Sequence, residues 1–253
     1  MRSTRITSVL RALTVIALFA TALSLAGSQD VSAIGQPVSL ATAVPTKTYS
    51  LDRYEDQVKE YEAEDVQSGL DRTAAEEGDV TLFVGSSTFR LWRDLEVRFQ
   101  DVHAINRGFG GATIDEINHY VKRLVLKYRP ARIVFYAGTN DIAEGDSAEV
   151  VFGEFQEFVE HVHRVLPETQ IYFVSANPGP SREKWADRYN KTNDLGRDYS
   201  LKTGQCKYID ITQAMRDAHG QMRKDLFVAD NLHMNKQGYD IWEPVIRQAL
   251  SGK

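Results

Sequence analysis

The sequence predicts an α/β protein with three layers, in which helices cover both faces of a central parallel sheet of about five strands. Strand-length apolar runs alternate along the chain with helical patterns, and this alternation is typical of parallel sheets. The runs at residues 81–84 and 133–136 are apolar at almost every position, as expected for strands whose two faces are both buried.

The predicted strands are short runs rich in β-branched and aromatic residues. They lie at residues 80–84, 102–105, 132–137, 170–175 and 207–211. Helical spacing of apolar residues predicts helices at residues 51–75, 113–128, 148–166, 182–202 and 236–250. The first helix is rich in charged residues, and we expect it to pack on the outside of the domain.

The amino terminus has the pattern of a secretory signal peptide. Arg2, Arg5 and Arg11 precede an uncharged apolar run at residues 12–26, and small residues follow it. We predict a signal peptide at residues 1–33, cleaved after Ala33, a linker at 34–49 and one catalytic domain at 50–253. The protein is then secreted or periplasmic, without stable membrane insertion. An uncleaved membrane anchor is the alternative, although the run is shorter than the roughly 20 residues that span a bilayer.

Charge and cysteine content exclude several classes of partner and site. The formal net charge is −5, and removal of residues 1–33 would make it more negative, so nucleic acid and anionic membranes are poor partners. Cys206 is the only cysteine, which excludes an intramolecular disulfide and a metal site built from several cysteines. We expect Cys206 to be a buried apolar residue. The oligomeric state is left open.

Candidate chemistry follows the predicted strands, where loops converge at the carboxyl edge of a parallel sheet. Ser86 and Ser87 follow Gly85 after the first strand, and such a hydroxyl is either an exposed nucleophile or a helix cap. The glycine-rich run at residues 108–111 follows the second strand. Its backbone N–H groups either bind an oxyanion or belong to a turn before a Thr113 helix cap.

Two further blocks complete the pattern. Asn140 and Asp141 follow the third strand, although both residue types are also common in turns. Near the carboxyl end, Asp230 stands three residues before His233, close enough to accept a hydrogen bond from the imidazole and orient it as a general base. A helix-capping polar residue beside an incidental histidine is the alternative.

In this chain order the four blocks resemble those of the SGNH (GDSL-like) hydrolase family, over about residues 79–250. The resemblance implies the flavodoxin-like fold of that family and a serine esterase that needs no cofactor or metal. It also implies a nucleophile, Ser87, with Asp230 and His233 completing the triad, and an oxyanion hole formed by Ser87, Gly111 and Asn140.

The sequence departs from the family pattern in two places. The G-D-S turn of the family reads Gly85-Ser86-Ser87 here, so the usual aspartate is absent. Because that aspartate is not a triad member, we expect altered turn contacts and intact chemistry. Asn231 stands where many relatives have glycine, which makes the loop before His233 less permissive.

Other residues near the blocks are candidates for the substrate pocket. Arg107 either binds a substrate carboxylate or pairs with Asp115 or Asp141. Phe109 is expected to contact substrate, whereas Trp92 and Tyr136 fit either a pocket wall or the core.

The predicted function is therefore hydrolysis of short acyl esters of lipid or carbohydrate through an acyl-enzyme. Two alternatives share the fold: a non-catalytic module that binds a glycan or a partner, and acyl transfer to a sugar hydroxyl. No zinc-protease, nucleotide or dinucleotide motif is present in the sequence, and we predict no cofactor.

Overall fold

A computed structural model of the chain describes residues 50–70 and 79–252. The predicted signal peptide and linker lie outside these residues. Five parallel strands form one sheet in the order β2-β1-β3-β4-β5, which confirms the predicted fold class. The strands are β1 (Thr81–Gly85), β2 (Ala104–Gly108), β3 (Arg132–Tyr136), β4 (Gln170–Val174) and β5 (Lys207–Ile209).

Helices connect the strands and cover both faces of the sheet. They are α1 (Glu55–Ser68), α2 (Ser87–Arg90), α3 (Leu95–Arg98), α4 (Ile114–His119), α5 (Val121–Leu124), α6 (Thr139–Glu144), α7 (Ala148–Val165), α8 (Ala186–Thr203) and α9 (Lys236–Leu250). Short 3-10 helices occur at Leu51–Tyr54, Gln100–Val102, Leu126–Tyr128, Pro180–Trp185 and Lys224–Leu226.

Each strand contributes side chains to two separate cores, because successive residues of a strand point to opposite faces. Leu82 and Val84 join the core beneath α1, α4, α5, α7 and α8. Phe83 joins the core on the other face, with aromatic residues of α2 and α9. This two-sided burial explains why the strands read as nearly continuous apolar runs. Cys206 is 2% exposed in the first core, as expected, and burial raises the pKa of its thiol to about 12.

The sheet topology sets the place where loops converge. Gly85 at the end of β1 is in register with Gly108 of β2 and Tyr136 of β3. Chain order reverses between β1 and β3, and an open parallel sheet has a crevice at the carboxyl edge beside such a reversal. The segments after β1, β2 and β3 therefore start side by side.

The helices predicted at residues 51–75 and 182–202 each begin with a 3-10 turn, and α1 ends at Ser68, while residues 71–75 lie outside the described ranges. Two other predicted elements differ more. Strand β2 begins and ends later than predicted, because His103 has a left-handed backbone (φ 47°) and the strand continues through polar Asn106 and Arg107. The helix predicted at residues 113–128 is divided into α4, α5 and a 3-10 turn. The backbone leaves helical geometry at Tyr120 (φ −93°, ψ 8°) and again at Val125 (φ −129°, ψ −63°), which separates the three segments.

Helix α1 is fastened to the domain by a buried ion pair. Asp65 is fully buried and accepts hydrogen bonds from Arg107 and from the Tyr128 hydroxyl (2.6 Å), and it also pairs with Lys127. Alternation along β2 turns the Arg107 side chain toward α1, where it is 4% exposed. No helix among the described residues has the length and apolarity to cross a membrane.

We expect Asp65→Ala to lower the free energy of unfolding by about 3 kcal/mol or more, because it leaves the buried Arg107 cation without its carboxylate. Urea unfolding followed by circular dichroism would measure the change. Asp56→Ala, at an exposed position of the same helix, is the matched control and should change stability by less than about 0.5 kcal/mol. Equal losses in the two variants would contradict this account of how α1 is held.

Candidate active site

Ser87 is the first residue of α2, directly beyond the carboxyl end of β1. The Ser86 N–H donates to the Tyr136 carbonyl on the neighbouring strand (3.1 Å), which fixes the turn. The Ser86 side chain is buried and makes no capping hydrogen bond. The Ser87 Oγ instead lies 2.9 Å from His233 Nε2. Of the two adjacent serines, Ser87 is therefore the one that contacts the histidine.

Asp230 holds His233 from the other side of the imidazole. Its Oδ2 lies 2.7 Å from His233 Nδ1, and its Oδ1 accepts hydrogen bonds from the backbone N–H groups of Leu232 (2.8 Å) and His233 (2.9 Å). Burial alone would raise the pKa of Asp230, but the hydrogen bonds from His233 and the backbone outweigh burial, so the pKa lies below its ordinary value. The carboxylate stays ionised at neutral pH and can orient an imidazole N–H.

The loop that carries Asp230 and His233 is tight. Asn231 has φ 54°, in the left-handed region, and asparagine tolerates this region better than most residues with a side chain. The loss of the glycine common in relatives is thereby accommodated. The Val228 N–H donates to the His233 carbonyl (2.9 Å), and the Ser181 N–H donates to the Asn231 carbonyl (3.0 Å).

The glycine loop after β2 lies against the turn at residues 85–87. The Phe109 N–H donates to the Gly85 carbonyl (3.0 Å). Within the described part of the chain, neither the Ser87 N–H nor the Gly111 N–H has a protein acceptor, as an oxyanion hole requires. Gly111 is not, however, among the residues that line the pocket beside Ser87. Its role in the oxyanion hole stays a prediction.

Asn140 lies in the first turn of α6, just beyond β3. Its Nδ2 donates to the Ala112 carbonyl (3.0 Å), and the neighbouring Asp141 accepts the Ile114 N–H (2.8 Å). These two bonds tie the turn at residues 138–141 to the glycine loop. An amide nitrogen carries two N–H groups, so one remains for an acceptor in the pocket that Asn140 lines.

A small pocket joins these groups. Polar residues form most of its wall: Ser87, Thr88, Thr139, Asn140, Asn177, Arg182 and His233, with Tyr136, Gly179 and Leu232. Sequence reasoning missed Asn177 and Arg182. Both follow the carboxyl end of β4, so the position after a strand was the available signal, but no motif marks them.

The structure contradicts the two substrate-binding predictions. Arg107 belongs to β2 and pairs with Asp65 and Tyr128, not with Asp115, Asp141 or the pocket. Phe109 is fully buried, and its ring packs edge-on against Tyr54 (centroids 5.3 Å apart). Both side chains fill the interface with α1 and its preceding turn.

The two undecided aromatic residues differ. Tyr136 lines the pocket and donates from its hydroxyl to the Asn177 carbonyl (3.2 Å). Trp92 is in the core, stacked on Tyr239 with ring centroids 4.8 Å apart.

Helix α1 and the turn before it also contact the glycine loop. The Tyr61 hydroxyl donates to the Gly108 carbonyl, and Gln57 Oε1 accepts the Gly110 N–H (3.2 Å). The Tyr54 ring lies so close to Gly110 that a Cβ there would be 2.6 Å from it. The loop is thus held between α1 and the turn at residues 85–87.

One group of carboxylates in the described ranges has the spacing of a cation site. Oxygens of Asp115, Asp141 and Glu154 lie within 4.8 Å of one another. Asp141 accepts the Ile114 N–H, and Asp115 accepts from Thr113. Acidic clusters are common without an ion, and we assign this group no part in the chemistry.

Residues 71–241 match the GDSL-like Lipase/Acylhydrolase family. The chain belongs to this family. It is therefore a carboxyl-ester hydrolase, as the resemblance of the four blocks implied. A comparison with curated proteins gave no match.

Solved structures share the fold of this GDSL-like acylhydrolase. A GDSL-like lipase from Bacteroides thetaiotaomicron has 22% identity and a TM-score of 0.62, with 80% of this chain and 99% of that chain covered. A catalytic mutant of an acetylxylan esterase from Geobacillus stearothermophilus has 12% identity and a TM-score of 0.57, with 68% and 93% covered.

We expect Gly179→Ala to reduce ester hydrolysis by about tenfold to a hundredfold, since small displacements of catalytic groups have such effects. A Cβ at this position would lie 2.6 Å from the Asn231 carbonyl oxygen and 2.7 Å from Leu232 Cα, so the loop carrying His233 has to move. Steady-state kinetics on a chromogenic ester would measure the loss.

Gly153→Ala is the matched control, because a Cβ there meets nothing within 4 Å and the residue lies inside α7. That variant should keep its activity and gain up to about 1 kcal/mol of stability. Full activity in Gly179→Ala would show that the contact between these loops does not position His233.

Proposed function

We propose that this hydrolase cleaves short acyl esters through an acyl-enzyme, with Ser87 as nucleophile, His233 as general base and Asp230 as its orienting carboxylate. The observation that carries the proposal is the continuous chain of hydrogen-bonding distances from Ser87 Oγ through both ring nitrogens of His233 to Asp230. A serine hydroxyl is a weak nucleophile until an adjacent base removes its proton, and this chain supplies such a base.

In the first half of the reaction, Ser87 Oγ attacks the ester carbonyl carbon while His233 Nε2 takes the hydroxyl proton. The carbonyl π bond becomes a lone pair on oxygen, giving a tetrahedral oxyanion. Asp230 stabilises the imidazolium formed in this step. Collapse of the intermediate breaks the bond to the alcohol oxygen, which receives the proton from His233, and leaves an acyl group on Ser87.

In the second half, water replaces the alcohol. His233 Nε2 removes a proton from water as its oxygen attacks the acyl carbon, and a second oxyanion forms. Collapse returns the proton to Ser87 Oγ and releases the carboxylic acid. The Ser87 N–H, the Gly111 N–H and Asn140 Nδ2 are the proposed donors to both oxyanions, and one such donor is typically worth about 3 kcal/mol.

The pocket wall favours a short acyl group and a polar alcohol. The pocket is small, and threonine, asparagine and arginine side chains dominate its lining. We therefore place acetylated carbohydrate first, the class named for the acetylxylan esterase of similar fold.

We also propose that the enzyme acts outside the cytoplasm. The basic residues and apolar run at the amino terminus support export. The acidic net charge favours neutral substrates over nucleic acid.

The first experiment is labelling of the purified protein with a fluorophosphonate, which phosphonylates an activated serine with loss of fluoride. We expect one adduct, located by mass spectrometry on Ser87. Ser87→Ala should lose the adduct and reduce ester hydrolysis at least about a thousandfold.

Ser86→Ala is the matched control, because the Ser86 side chain is buried and makes no capping hydrogen bond. This variant should still react with the fluorophosphonate and hydrolyse esters. An adduct on Ser86, or unchanged hydrolysis by folded Ser87→Ala, would refute the assignment. Product analysis with sugar acceptors would separate hydrolysis from acyl transfer.

The lining of the pocket predicts which acyl chain length the enzyme prefers. We expect kcat/KM to fall as the acyl chain of a p-nitrophenyl ester lengthens from acetyl to octanoyl, because the small polar pocket cannot enclose a long apolar chain. Acetate release from acetylated xylo-oligosaccharides should exceed release of fatty acid from a dispersed triglyceride. A higher kcat/KM for octanoyl than for acetyl esters would overturn the short-acyl proposal.

A further inference from the structure

Arg182 contacts the residue proposed as the side-chain donor of the oxyanion hole. Its Nη1 donates to Asn140 Oδ1 (2.9 Å) and to the Thr139 carbonyl (3.0 Å). Arg182 lies in the 3-10 turn Pro180–Trp185 after β4, on a different loop from Asn140. We propose that Arg182 is a positioning residue, which fixes the orientation of the Asn140 amide for catalysis.

The amide of Asn140 has an acceptor on one side and a donor on the other. Nδ2 faces the Ala112 carbonyl, which can only accept, and Oδ1 faces the Arg182 guanidinium, which can only donate. A reversed amide would set donor against donor and acceptor against acceptor. Arg182 therefore keeps the nitrogen on the side of the glycine loop and leaves its second N–H for the pocket.

The charge of Arg182 strengthens this arrangement. No carboxylate among the described residues lies within ion-pair distance of Arg182, and the side chain is only partly exposed. A cation on the amide oxygen draws electron density toward it, and hydrogen bonds in series polarise one another. The Asn140 N–H thereby becomes a stronger donor to a developing oxyanion.

A second contact steadies the same turn. The Tyr189 hydroxyl also donates to the Thr139 carbonyl (3.1 Å), and burial raises the pKa of Tyr189 to about 12, so that hydroxyl stays a donor. The Tyr189 bond reaches only the backbone of the turn. Among the described residues, Arg182 is the one that bonds both the Thr139 carbonyl and the Asn140 amide oxygen.

The inference rests on the proposed function, and its test is a double-mutant cycle in the full chain between Arg182→Ala and Asn140→Ala, followed by kcat and KM on p-nitrophenyl acetate. We expect Asn140→Ala to lower kcat by about a hundredfold, as removal of an oxyanion donor does. Arg182→Ala should lower kcat by at least about tenfold with KM changed less than about twofold. The double variant should be no slower than Asn140→Ala, because residues that act through one another are not additive.

Two further variants separate orientation from folding. Arg182→Lys keeps a charged donor and should recover part of the lost kcat. Arg188→Gln removes an exposed arginine of the same region that bonds the Gly145 carbonyl but not Asn140, and should leave kcat unchanged. Thermal unfolding of every variant verifies that the fold is intact.

The outcomes are distinct. Multiplicative losses in the double variant would overturn the proposal, because Arg182 would then act independently of Asn140. A rise in KM alone for Arg182→Ala would also overturn it, since that pattern indicates binding of substrate. A failure of the proposed function would be distinguishable, because ester hydrolysis would then persist in the Ser87→Ala variant.

Discussion

The parallel register of β1, β2 and β3 is the constraint on which the site depends. It sets Gly85, Gly108 and Tyr136 side by side at one edge, so three segments that are far apart in sequence leave the sheet together. The backbone then joins them: Ser86 bonds Tyr136, and Phe109 bonds Gly85. The positions of the proposed nucleophile and oxyanion donors follow from sheet geometry before any catalytic side chain is considered.

The Asp230–His233 block reaches the site differently, because a long irregular segment separates it from β5. Close contacts between backbone segments, and not the register of a strand, hold this block in place. Gly179 permits the segment after β4 to touch Asn231 and Leu232, and the Asp230 carboxylate organises its own loop by accepting two backbone N–H groups as well as the imidazole. One carboxylate thus orders both the loop and the imidazole.

Patterns that repeat along the chain were readable from the sequence, and long-range side-chain partners were not. The five strands follow from apolar runs, and the serine, glycine and asparagine blocks follow from what stands after three of those runs. The Asp230–His233 block was recognised from its own spacing. Arg107 was misassigned because its partner, Asp65, lies 42 residues away on a helix whose contacts no local pattern reveals. Arg182 was missed for the same reason, since its importance comes from Asn140 on another loop.

The contacts of α1 with the glycine loop bear on how the chain should be divided. The family match begins at residue 71, after α1 has ended at Ser68. Yet Gln57 and Tyr61 bond the loop that holds the proposed oxyanion glycine. The contacts that shape the glycine loop therefore extend upstream of the family match, and a fragment cut at residue 71 would lose one wall of that loop.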